Sequence, residues 1–100
     1  MHDCPVATGD RWLARFVPAL LASRSYRSGS TVLFITFDEG TDTANHVATI
    51  VASPATRPGT RSRERFDHYS LLKTTEQLLG LRGELGHAVR AHSMRQAFRL

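Results

Sequence analysis

Three groups of residues carry side chains that could do chemistry. The first is Asp38-Glu39, two adjacent carboxylates followed by Gly40. Paired hard oxygen donors suit a divalent cation. Neighbouring side chains diverge on an extended chain, so both would reach one ion only through a turn at Gly40. The same three residues are also ordinary turn chemistry, which is the plainer alternative. The second group is histidines. His2, beside Asp3, could be a metal ligand or half of an acid/base pair, although a frayed end is the default for a terminal His. His68 falls at the expected N-terminal lip of a helix, where the helix field favours neutral imidazole. That suits a metal ligand or a phosphate-facing donor, against the alternative of capping or packing. The third group is Arg57, Arg61, Arg63 and Arg65, a positive cluster that could face a phosphate-bearing substrate or simply be a solvated loop.

The elements that must position these groups follow from the pattern. Thr31 to Phe37 is an almost unbroken apolar and β-branched run. It reads as a central strand of about 31–38 covered on both faces, as in an α/β sheet. Asp38 and Glu39 then stand at its carboxyl end, where open α/β sheets place ligands. Residues 46–53 form a second apolar strand. The five-residue link between the two is too short for a parallel crossover, so paired strands would be antiparallel. His46 would then start its strand on the same rim as Asp38.

Upstream, Trp12, Leu13, Phe16, Val17, Leu20 and Leu21 recur at helical spacing and predict a helix over about 9–23, capped by Asp10 or Thr8. Trp12 and Phe16 read as core. Pro18 falls inside and should kink the helix or divide it. Residues 24–30 read as a loop. Downstream, Asp67 or Ser70 caps a helix over about 68–79, with Leu71, Leu72, Thr75, Leu78 and Leu79 as its apolar stripe and Glu76 outside. Gly80 stops it. Residues 81–90 are a linker turning at Gly83 and Gly86. The tail is a short helix or extended segment whose Met94, Phe98 and Leu100 dock on the body, with His87 and His92 at the surface.

One hundred residues make one small domain at most. The net charge is +4, and twelve of the thirteen bases are arginine, with Lys73 the exception. That bias suits phosphate or carboxylate recognition, but a GC-rich genome produces it equally well. Cys4 is the single cysteine, so no internal disulfide is possible. No apolar run approaches the roughly 20 residues of a membrane helix. The first residues lack the basic start and apolar stretch of a signal peptide.

Three blocks, taken together and in order, resemble the C-terminal part of the phosphoesterase family. They are His2-Asp3-Cys4 before a Gly9-Asp10-x-Trp12-Leu13 helix, the strand ending in Phe37-Asp38-Glu39-Gly40, and Asp67-His68-Tyr69-Ser70 running on to Leu81. That family holds bacterial acid phosphatases and phospholipases C and belongs to the alkaline phosphatase superfamily. The resemblance implies an alkaline-phosphatase-like α/β sandwich. The chain would be a partial, truncated domain spanning residues 1–100, with no second domain. It implies that Asp38 and Glu39 are metal ligands, that His2 and His68 are catalytic, and that His2, Asp3 and His68 bind phosphate. The metal is divalent and of unknown identity. The family's upstream Glu-Asn metal pair and its Ser or Thr nucleophile have no counterpart here.

The expected parent reaction is therefore metal-dependent hydrolysis of a phosphate ester, in a secreted or periplasmic protein, with this chain inactive alone. The expected partners are the substrate and the missing N-terminal part of the same domain, with no nucleic acid and no membrane-spanning segment. The alternative is a small basic, non-catalytic module for nucleic acid or a protein partner, though no recognised nucleic-acid motif supports it.

Overall fold

The computed structural model describes residues 3–100, and His2 lies outside the described residues. Helix α1 spans Val6–Ala22, with Pro5 at its N-cap. It begins before both expected caps, so Thr8 and Asp10 lie within its first turns. Its leading N–H groups are exposed and can bond water, so no side-chain cap is required. Pro18 does not divide the helix. The carbonyl of Ala14 loses its usual donor there, but both residues are exposed and water can replace it. A one-turn helix, α2 (Arg24–Arg27), follows where a loop was expected. The Ser23 hydroxyl caps it by accepting the Tyr26 N–H at 3.2 Å.

Strands β1 (Leu33–Thr36) and β2 (Thr49–Ala52) form a two-stranded antiparallel sheet. The register pairs Leu33 with Ala52 and Thr36 with Thr49. The antiparallel pairing agrees with the short link, and the Thr36 and Thr49 hydroxyls bond across the strands at 2.9 Å. Both strands are shorter than 31–38 and 46–53. The reading of β1 as a strand covered on both faces also needs correcting. All four of its residues are only half-buried, and Ile50 on β2 is 60% exposed. Among the described residues the architecture is mixed helix and strand around this small sheet.

Helix α3 spans His68–Leu78. Asp67 and Ser70 share the cap, each side chain bonding the other's backbone N–H (2.8 and 3.2 Å). The helix ends in a Schellman motif. Gly80 takes φ +67°, its N–H reaches the Gln77 carbonyl, and the Leu81 N–H reaches the Glu76 carbonyl. A 3-10 turn (Gly86–Arg90) and the short α4 (Arg95–Phe98) complete the chain.

The core sits where α3 meets the C-terminal segments. It holds Ala88 and Met94 together with Ser70, Thr74 and Glu76. Glu76, expected outside, is thus buried, while Leu79 from the expected stripe is exposed. Polar residues can occupy this seam because local bonds use most of them. The Thr74 hydroxyl donates to the Ser70 carbonyl (2.7 Å) and accepts the Met94 N–H (2.8 Å). Glu76 Oε1 accepts the Leu85 N–H at 3.0 Å, while Oε2 has no hydrogen-bond partner. The tail docks as expected, with Met94 buried and Phe98 tilted against Phe66.

Helix α1 contributes no buried residue. Trp12 and Phe16 stack with ring centroids 4.7 Å apart, yet both are largely exposed. Expected as core, they lie on an open face. The whole chain presents 8009 Å² to solvent. A compact monomer of this mass presents about 5,700 Å².

Candidate functional site

The segment after β1 is a tightly closed loop. Asp38 lies two residues beyond the strand, and its Oδ1 accepts the Glu39 N–H at 3.1 Å. Gly40 donates to the Asn45 side-chain oxygen at 2.7 Å. A Cβ at Gly40 would collide with the His46 carbonyl, so only glycine allows the two ends of the loop to meet. Asn45 helps close it by taking a left-handed φ of 54°, which asparagine tolerates well.

Asp42 organises the far side of this loop. Its Oδ1 accepts the His46 backbone N–H at 2.9 Å, and its Oδ2 meets the ring Nδ1 at 2.6 Å. The His46 backbone N–H, followed by the ring contact, holds the Asp42 carboxyl below the ordinary carboxylate range, against a small opposing effect of burial. An ionised carboxylate only accepts, so Nδ1 carries the proton and Nε2 is left for a ligand.

His68 links the other side. Its Nε2 lies 2.9 Å from the Asp38 carbonyl, 30 residues away in sequence. A carbonyl only accepts, so this nitrogen donates. The Asp67 carboxyl is held low, first by the Ser70 backbone N–H, and it remains an effective cap beside His68. The α3 N-terminus is thereby fastened to the end of β1.

Between these walls lies an open cleft of about 940 Å³. His46 and His68 line it with Arg61 and Arg65, over an apolar floor that includes Leu71, Met94 and Phe98. It is rich in donors for an anion.

The residues expected at the site fare differently. Asp38 and His68 come together, but through the Asp38 backbone. Asp38 and Glu39 are exposed and are not among the residues lining the cleft. Asp3 is exposed on the lead-in to α1, and His2 lies outside the described residues. Among the described residues, no three His, Cys, Asp or Glu side chains converge on a point that could hold a metal ion. The pairing of Asp42 with His46 is not among the sequence expectations. Its signal was an Asp four residues before a His, inside a segment bounded by Gly40.

Comparison with known proteins places the chain in a family. The phosphoesterase family model matches residues 1–82 and so takes in α1, the sheet, the closed loop and α3. The chain is 35% identical over 92 residues to a phosphatidylinositol-3-phosphatase of Mycobacterium tuberculosis (strain ATCC 25618 / H37Rv). That alignment covers 91% of this chain and 29% of the relative, so the chain spans under a third of the relative's length. No solved structure matches it significantly. No helix among the described residues is long and apolar enough to cross a membrane. On the match across most of its length, this chain belongs to the phosphoesterase family.

Proposed function

We propose that these residues supply part of the catalytic site of a phosphoester hydrolase built on an alkaline-phosphatase-like sandwich. The observation that carries this reading is the His68 to Asp38 hydrogen bond, which joins two segments within the family match, one of them through a residue that lines a donor-rich cleft. Asp38 and Glu39 are hard oxygen donors of the kind a divalent cation takes. Two carboxylates are fewer than such an ion needs, so further ligands come from elsewhere in a complete site. A cation held there would neutralise phosphate oxygens and lower the pKa of the attacking group. His68 fixes the loop carrying Asp38 and, with His2 and Asp3, binds phosphate or moves a proton to the leaving oxygen. The name of the mycobacterial relative makes a phosphoinositide the first substrate to try.

The surface excess, the open Trp12–Phe16 face and the half-covered sheet support a further reading. The remaining part of a phosphoesterase domain packs against this one, and the 100 residues alone turn over little or no substrate. The test is release of p-nitrophenol from p-nitrophenyl phosphate with added divalent cations, by this chain alone and joined to the upstream part of a phosphoesterase domain. Activity should appear in the joined protein and fall at least about a hundredfold in Asp38→Asn or Glu39→Gln, the scale of losing a group that stabilises transition-state charge. Full activity in the double variant would overturn the assignment.

A further inference from the structure

We propose that Asp42-clamped His46, with Arg61 and Arg65 of the same cleft, forms a phosphate-recognition subsite separate from the Asp38-Glu39 pair. The inference rests on reading the cleft as the place of a phosphate ester. Its geometry is independent of any cation.

Three observations lead to it. First, His46 is held twice by one carboxylate, through its backbone N–H (2.9 Å) and its ring (2.6 Å). The loop bearing it is closed by the Gly40 to Asn45 bond. The His46 side chain is 81% exposed, and an ion pair so exposed contributes little to stability. What the double hold supplies is orientation. Second, the clamp fixes the ring's state. With Nδ1–H committed to Asp42, Nε2 is the ring atom left to meet a ligand, as an acceptor for a protonated phosphate oxygen or, in the imidazolium form, as a second N–H donor. Third, Arg61 and Arg65 line the same cleft, and guanidinium matches the geometry of phosphate oxygens. Of the acidic side chains that line the cleft with them, Glu64 and Asp67, the second is committed to the α3 cap.

The ligand is a phosphate monoester group. It can be presented by a soluble ester or by a lipid headgroup, and the cleft's apolar floor is compatible with either.

The test is NMR on the full 100-residue chain, isotope-labelled and free of metal. The His46 ring nitrogens should show the proton on Nδ1. Inorganic phosphate should shift the Nε2 signal saturably. His46→Gln and the double variant Arg61→Gln/Arg65→Gln should each weaken phosphate binding at least about tenfold, as expected for loss of charged hydrogen bonds. Asp42→Asn should weaken it less and release the ring to a mixture of tautomers, which a merely structural role for Asp42 would not produce. Asp38→Asn/Glu39→Gln should not weaken metal-free phosphate binding, so failure of the metal assignment remains distinguishable from failure of this one. Glycerol 3-phosphate and phosphatidylcholine vesicles with or without phosphatidic acid separate the soluble from the lipid-borne source. His46 is exposed, so its substitution removes no core contact, and a wild-type backbone spectrum verifies the fold. Wild-type phosphate affinity in His46→Gln, or an Nε2 signal that phosphate does not move, would overturn the proposal.

Discussion

Helices α1 and α3 relate pattern to burial in opposite ways. Helix α1 carries the stronger apolar face, with Trp12, Leu13, Phe16, Val17, Leu20 and Leu21, yet it buries none of them fully and packs mainly on α2. Helix α3 buries Ser70, Thr74 and Glu76 while Leu79 stays exposed. An apolar stripe states what a helix would gain from a partner, whereas burial requires the partner to be there. The segments after Gly80 cover α3 and satisfy its polar face bond by bond. No comparable cover lies over Trp12 and Phe16 among the described residues.

The comparison can be broken by mutation. The largest effect should come from Thr74→Val. It keeps the shape but leaves the buried Met94 N–H unpaired, costing about 1–3 kcal/mol. Thermal denaturation should show a fall of about 4–8 °C per kcal/mol in a domain of this size. Glu76→Ala should cost a similar amount, because it strips the acceptor from the Leu85 N–H. A neutral result in both would mean that the polar seam is open to water.

Next in size is the α3 cap. Asp67→Ala should cost about 1 kcal/mol of stability. The Asp67 pKa is depressed in the folded state, so its contribution is fully present above the unfolded carboxylate value, about pH 4. It is lost as pH falls through the folded value. Unfolding midpoints of wild type and Asp67→Ala should therefore differ at about pH 6 and draw together as pH falls below the ordinary carboxylate value.

The smallest effect should come from Trp12→Ala. A fully buried tryptophan would cost about 3–5 kcal/mol, but this one should cost about 1 kcal/mol or less, most of it from the Phe16 stack. A cost as large as that of Thr74→Val would show that α1 finds a partner in solution, through self-association or repacking. Sedimentation would distinguish the two.

Much of the local structure was legible. Alternating turn and apolar signals located the two strands, the short link required their antiparallel pairing, and Asp67, Ser70 and Gly80 marked both ends of α3. These signals act over a few residues, where steric and hydrogen-bonding rules are strong. The Asp38-Glu39 pair was legible as donor chemistry and as a piece of a family motif. Its relation to His68 was only half legible, because the bond uses a backbone carbonyl that carries no sequence signature. The Asp42–His46 clamp was not legible, because a polar Thr-Asp-Thr-Ala-Asn segment looks like any turn. Its function depends on the loop closing tightly at Gly40.

By itself, then, the order of residues determined that two strands pair between two longer helices, how α3 is capped and stopped, and which family motifs the chain carries. Those outcomes rest on interactions between near neighbours. Only the tertiary structure decided that Glu76 turns inward, that Trp12 and Phe16 stay open, and that His46, His68 and two arginines share one cleft. Burial and convergence depend on which distant surfaces meet, and side-chain periodicity carries no record of that.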